Sequence, residues 1–313
     1  MKIVIAGGSG FLGKRLTETL AGLGYELVVL SRRPDLTPAW GFDTAPGRVK
    51  VAPWTPDGGA GEWGSVMEGA GAVINLAGES IGDHRWSAER KRRIRDSRLL
   101  AARSVVAAMG AARRPPALLV NASAIGYYGT RGNEVLTEEA GPGSGFLAGL
   151  CVEWEQEARA AAPMARVVVV RSGLVLEEEG GTLPRMLTPF RLFAGGPFGS
   201  GRQYVSWIHR ADWLALIAWV LTEPSVDGPL NATAPTPVTN REFARAIGRA
   251  LGRPSWLPAP AFALRAVLGE MADSLILASQ RVVPARASQH GFRFRYPDLE
   301  PALRAILAPV DRR

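Results

Sequence analysis

From Lys2 onward, short aliphatic runs alternate with longer stretches whose apolar residues recur every three or four positions. Lys2 to Ala6, Tyr25 to Leu30, Val49 to Ala52, Gly71 to Leu76, Ala117 to Ala122 and Val167 to Val170 are compact and rich in Val, Ile and Leu. Such runs, apolar on both faces, read as strands of a parallel sheet covered on each side. Between them, Lys14 to Leu23, Ser87 to Met109 and Phe146 to Ala162 carry helical spacing, with Leu16, Leu20 and Leu23 as the first stripe. Strand alternating with helix predicts an α/β fold, a doubly wound parallel sheet.

Beyond Ser172 the pattern changes. Gly180-Gly181, Gly195-Gly196-Pro197 and Gly199-Ser200-Gly201 punctuate a loop-rich region. An apolar helix over Leu214 to Leu221 follows, then a returning strand near Leu230 to Pro235. Thr239-Asn240 reads as a helix cap; with Glu242 only two residues past Asn240, no strict capping box is expected. Pro254 to Pro260 reads as a linker, Phe262 to Gln280 as a helix, Phe292 to Tyr296 as a basic aromatic strand, and a last helix starts at Pro301. The expected division is a dinucleotide-binding unit over 1–172, with 206–234 returning to it. A smaller α+β lobe over 173–205 and 235–313 would hold substrate.

The first strand runs straight into Gly7-Gly8-Ser9-Gly10-Phe11-Leu12-Gly13 and then a helix. Strand, glycine turn and helix form the context in which such glycines cradle a pyrophosphate. Gly7 turns the chain, Gly10 lets the backbone approach the phosphates, and Gly13 lets the helix pack close. Ser9, Phe11 and Leu12 complete the loop, whose free N–H groups and dipole favour an anion. An NAD site usually places an acid at the end of the second strand. Here Ser31-Arg32-Arg33 stands there, with no acid before Asp35. A guanidinium suits the 2′-phosphate of NADP, so NADP is the expected cofactor; the alternative is a pair of solvated surface arginines. Trp54 is either a wall of the adenine pocket or core.

Composition narrows the partners. The formal charge of +8 invites a nucleic-acid reading. The densest basic stretch, Arg85 to Arg103, continues into Ile94, Leu99, Leu100, Val105 and Val106, which makes it the charged side of an amphipathic helix. No aromatic residues are interleaved with it, and no nucleic-acid module accompanies it. Cys151 is the single cysteine, and His84, His209 and His290 are scattered, so neither a disulfide nor a metal site is expected. No apolar run approaches the roughly 20 residues of a membrane span. With Met1 leading directly into a strand, the expected location is the cytoplasm. The sequence leaves the oligomeric state open.

Several longer stretches join these signals: GGSGFLG, NLAGESIGDHRW, SAIGYYG, CVEWE, RSGLVL, GGPFGSGRQYVSWIHRADW and NATAPTPVTNREF. Together they resemble the atypical short-chain dehydrogenase/reductases labelled epimerase family proteins. That resemblance implies an NADP-type Rossmann domain, a small substrate lobe and a small-molecule substrate. It assigns Asn75, Leu76, Ala77 and Gly78 to the cofactor-side exit of the fourth strand, with Arg171 in support. It places Ser123 where the superfamily's substrate-steadying serine belongs. The superfamily's Tyr-x-x-x-Lys pair is missing: the corresponding region reads Phe146 to Cys151, and no lysine follows Lys91. Tyr127 and Tyr128 are the remaining phenols, and they carry the catalytic expectation with Ser123. Arg202, Gln203 and His209 lie in the segment that holds substrate in extended epimerases, but Val205 stands where those enzymes have a phosphate-binding arginine. The expected activity is NADP(H)-dependent oxidoreduction or epimerase-like chemistry on an unknown small molecule. A catalytically silent NADP(H) sensor or scaffold, such as some cell-division-linked relatives, is the alternative.

Overall fold

The computed structural model describes residues 1–34 and 47–308; Asp35, which entered the cofactor argument, lies outside them. Strand β1 (Lys2–Ala6) leads through the glycine turn into α1 (Phe11–Gly22), then β2 (Glu26–Ser31), β3 (Val49–Pro53) and β4 (Ala72–Asn75). Helix α2 (Ala88–Ala111), β5 (Leu118–Ala124), β6 (Val135–Leu136), α3 (Phe146–Arg159), β7 (Arg166–Ser172) and β8 (Leu174–Leu176) follow. The chain continues with α4 (Leu183–Arg191), β9 (Tyr204–Val205), β10 (Trp207–His209), α5 (Arg210–Thr222), β11 (Gly228–Ala232), β12 (Val238–Thr239) and α6 (Asn240–Leu251). It ends in α7 (Ala261–Leu268), β13 (Arg281–Val282), α8 (Ala285–Gln289) and α9 (Leu299–Leu307).

Seven strands form one parallel sheet in the order β11-β7-β5-β4-β1-β2-β3. The order reverses between β1 and β4, and in such sheets that crevice is where ligands bind. One face packs Ile3, Ile5, Ile74 and Val170 against Leu16, Leu20, Leu216 and Ile217 of α1 and α5. The other packs Val4, Val73, Leu119 and Val167 against Ala101, Val105 and Met109 of α2. Alternate residues of each strand thus enter opposite layers, as the pleat requires. A third cluster joins α4, α6 and α9 through Leu187, Phe190, Phe243, Ile247 and Leu303.

Three local expectations are corrected. Phe262 to Gln280 is no single helix: Gly269, at φ +61°, ends α7, and a wide turn over Ala272–Ile276 precedes β13. Phe292 to Tyr296 forms no strand; Phe292 and Phe294 pack edge-on, 4.9 Å apart, against the first core layer. The backbone N–H groups of Arg295 and Tyr296 instead donate to Asp212 at 2.8 and 2.9 Å. The N-cap of α6 is Thr239, one residue earlier than Asn240, so Glu242 falls at the third helical position and a full capping box forms.

Candidate cofactor cleft and its polar floor

The glycine turn is shaped by contacts that leave no room for side chains. A Cβ on Gly7, at φ +81°, would lie 2.8 Å from the carbonyl carbon of Leu76. On Gly8 it would lie 2.8 Å from a methyl of Val29, and on Gly13 only 2.1 Å from the Gly7 carbonyl oxygen. Gly10 differs: its nearest contact would be the Gly7 oxygen at 3.3 Å, and the residue is exposed, as are Ser9 and Phe11. Three glycines are therefore demanded by the fold itself, whereas Gly10 borders open space. Gly10 is also the N-cap of α1, with no side-chain cap and no acidic residue in the first turn. The helix N-terminus thus offers uncapped N–H groups and an uncompensated dipole to the crevice. These residues fit a dinucleotide pyrophosphate.

Leu76 and Ala77 lie directly against Gly7. Asn75 holds this exit in place: fully buried, it donates to Asn121 Oδ1 at 2.7 Å and accepts from the Ala77 N–H at 3.2 Å. It shapes the backbone beside the cleft and is itself sealed from it. At the end of β2 the Ser31 hydroxyl accepts from the Arg33 N–H at 3.0 Å, and Arg32 and Arg33 are exposed. Trp54 is 7% exposed and packs edge-on against Trp63, so it belongs to the core layer.

Behind the ends of β5, β7 and β11 lies a buried polar network that the sequence had not revealed. Its centre is Glu155 of α3, which has no exposed surface. Arg171 clamps it with two bonds, Nε to Oε1 at 2.8 Å and Nη2 to Oε2 at 2.9 Å. Ser123 donates to the same Oε1 at 2.8 Å, and Arg159 to Oε2 at 2.9 Å. Arg171 also donates to the Tyr128 hydroxyl at 3.0 Å, and that hydroxyl donates to Asn231 Oδ1 at 2.7 Å. Asn231 Nδ2 donates to the Val283 carbonyl, and its backbone N–H to Glu138 Oε1 at 2.9 Å. Burial works against the Arg171 charge, yet the bonds to Glu155 and the facing Tyr128 hydroxyl hold its pKa above that of free arginine.

Three expected site residues are engaged in this network. Tyr128 is fully buried and its pKa is pushed up to about 12, chiefly by desolvation, which withdraws it from proton transfer. Arg171, 1% exposed, clamps Glu155. The Ser123 proton is committed to Glu155. Tyr127 remains: half-buried, with the Arg171 guanidinium 3.5 Å from its ring centroid, its hydroxyl has no hydrogen-bond partner among the described residues.

The expected substrate residues divide as well. Gln203 is buried and its amide donates to the carbonyls of Phe198 and Ile276, a structural role. His209 caps α5 by accepting from the Ala211 N–H at 3.0 Å and stacks on Tyr296 at 3.9 Å. Burial drives its pKa down to about 4, so the ring is neutral. Arg202 is exposed. Where the superfamily's tyrosine would start α3, Phe146 packs edge-on against Trp86 at 5.1 Å, with the Lys91 ammonium 5.5 Å from its ring.

This geometry can be set beside known proteins. The NAD dependent epimerase/dehydratase family matches residues 3–232, nearly the whole parallel sheet with its helices. The chain belongs to that family. A domain of unknown function, DUF1731, matches 259–306. The Arabidopsis thaliana protein "Epimerase family protein SDR39U1 homolog, chloroplastic" is 42% identical, covering 98% of this chain and 87% of that one. The Mycobacterium bovis "Epimerase family protein Mb2239" is 39% identical over 96% of both chains. The crystal structure of human epimerase family protein SDR39U1 with NADPH superposes with a TM-score of 0.88 at 34% identity, covering 99% of this chain and 100% of that one. Among the described residues of this family member, no helix is long and apolar enough to cross a membrane.

Glu155, Glu138 and Asn231 were missed at the sequence level. A Glu that directly follows Trp154 in an amphipathic helix looks solvated until its partners on β5 and β7 are known.

Proposed function

We propose that the protein binds NADPH across the β1/β4 crevice and reduces a carbonyl group of a small molecule. The observation that carries this reading is the uncapped N-terminus of α1 behind an unobstructed Gly10, with exposed Arg32 at the end of β2. The human relative crystallised with NADPH supports the choice of cofactor. Arg32 pairs with the 2′-phosphate, Ser31 fixes the turn that presents it, and the glycine turn receives the pyrophosphate. Bound, the cofactor supplies a hydride. Among the chain's own groups, Tyr127 holds the proton for the carbonyl oxygen. Ser123, whose proton goes to Glu155, supports the network behind Tyr127. The protein acts on a small molecule, in the cytoplasm, from a dinucleotide-binding unit and a smaller substrate lobe.

A second reading, an NADPH sensor without turnover, is favoured by the sealing of Ser123 and Tyr128 inside the network. Oxidation of NADPH over an aldehyde and ketone panel decides between them. Turnover should fall about 10²- to 10⁴-fold in Tyr127→Phe with NADPH affinity unchanged. Tight NADPH binding with no turnover on any carbonyl selects the sensor, and no NADPH binding removes both readings.

A further inference from the structure

Arg98 of α2 is a half-buried cation beside the cleft. Its guanidinium lies over the Trp154 ring at 5.2 Å, and Nη1 donates to the carbonyl of Ile94, one turn back on its own helix, at 3.0 Å. Among the described residues no carboxylate lies within ion-pair distance of it. Its neighbours Arg90 and Arg93 share Glu79, and Arg95 pairs with Glu153. Burial lowers its pKa to about 10. A cation held partly out of water with no anion at ion-pair distance is unfavourable to the folded state. Evolution of a packed helix offers aliphatic residues for such a position, so an arginine without a carboxylate there points to a partner absent from the chain.

The location indicates which partner. A Cβ on Gly78 would lie 3.1 Å from both Cγ and Cζ of Arg98, so the arginine runs along the open side of the β4 exit. Two residues earlier that same exit lies against Gly7 of the phosphate turn. With Arg32, just past β2, at the adenosine end in the NADPH reading, the rest of a dinucleotide extends past Gly10 over β4 toward β5. Arg98 stands on that path, on the Cys151 side of β5, where the Cys151 thiol meets the Ala124 carbonyl.

We propose that Arg98 is a binding residue for the nicotinamide half of the dinucleotide, donating to the oxygens of its pyrophosphate and second ribose. This rests on the NADPH reading above. It puts on α2 a fixed cation that this chain lacks on α3, where Leu150 and Cys151 are buried and apolar.

The test measures affinities of purified wild type, Arg98→Met and Arg98→Lys for three probes: NADPH, 2′-phospho-ADP-ribose and adenosine 2′,5′-bisphosphate. Methionine keeps the aliphatic packing on Trp154 and Gly78. The expected result for Arg98→Met is a loss of about 10- to 100-fold for NADPH and 2′-phospho-ADP-ribose, the range for a charge-assisted hydrogen bond. Adenosine 2′,5′-bisphosphate, which lacks the second half, should keep wild-type affinity, and Arg98→Lys should recover part of the loss. The ligand-free melting temperature of Arg98→Met should equal or exceed that of wild type, because a partly desolvated charge has been removed. Equal losses for all three probes, or a lowered ligand-free melting temperature, would show a structural residue and overturn the proposal. Undiminished NADPH affinity would also overturn it. Failure of the NADPH reading itself is separate: wild type would then bind none of the probes.

Discussion

Replacing Glu155 by Gln tests the buried network most directly. The substitution keeps side-chain size and removes one charge. Arg171, 2% exposed at its side chain, then faces an amide in place of the carboxylate it grips at 2.8 and 2.9 Å. Removing one member of a buried ion pair costs about 3–5 kcal/mol, because the other charge is left unpaired in a low-dielectric surrounding. Ser123 and Arg159 lose an ionised acceptor in the same step. With unfolding entropy of about 2.1 cal/mol/K per residue, a chain of 313 residues loses about 1.5 °C of melting temperature per kcal/mol. The expected fall is therefore about 4.5–7.5 °C by circular dichroism at pH 7. Glu155→Leu combined with Arg171→Met should recover most of that loss, since an apolar pair leaves no charge stranded. A fall below about 1 °C in Glu155→Gln would mean that the pair is not a stabilising ionic contact, and the account of the network would be wrong.

The glycines separate binding from folding. Gly13→Ala should lower the melting temperature, because its Cβ would sit 2.1 Å from the Gly7 oxygen, whereas Gly10→Asp should melt like wild type and lose NADPH binding in a fluorescence titration. Arg32→Ala should weaken NADPH by about 10- to 100-fold and leave NADH unchanged; equal losses would place Arg32 outside 2′-phosphate recognition. His209 supplies a pH signature. Burial pushes its folded pKa down to about 4, below the ordinary imidazole value of 6.5, so the unfolded chain binds more protons between those values. Stability from this group is complete above about pH 6.5 and is lost as pH falls toward 4. His209→Asn, which keeps a helix cap, should melt with a shallower pH dependence across that window.

The sheet was readable because its strands are buried on both faces and its first turn carries its own steric logic. Gly7 and Gly13 could be assigned jobs without coordinates, since a sharp turn and a close helix leave only one residue type. The exit at Asn75 to Gly78 was legible through its resemblance to a family motif. The polar floor was not. Ser123 and Tyr128 look alike as catalytic candidates in sequence, and only the approach of Glu155 on α3 and Asn231 on β11 shows that both hydroxyls are consumed internally. His209 and Gln203 follow the same rule: a polar residue's role is set by partners dozens of positions away. Phe292 to Tyr296 misled for a local reason, since alternating aromatic residues mimic a strand wherever they pack in single file.

The strand pairing of β6 with β13 joins residues 135–136 to 281–282, and Arg286 donates its backbone N–H to Glu138. Asn231 in turn is held by the carbonyl of Val283. The family match that ends at residue 232 and the one that begins at 259 therefore meet inside a single knot of backbone bonds. During synthesis the pocket floor stays unfinished until residues beyond 283 leave the ribosome. A nascent chain stopped at the apparent boundary would hold a complete parallel sheet above an open, half-bonded cavity. A chain cut between the two matched segments is expected to leave Glu138 and Asn231 without these partners.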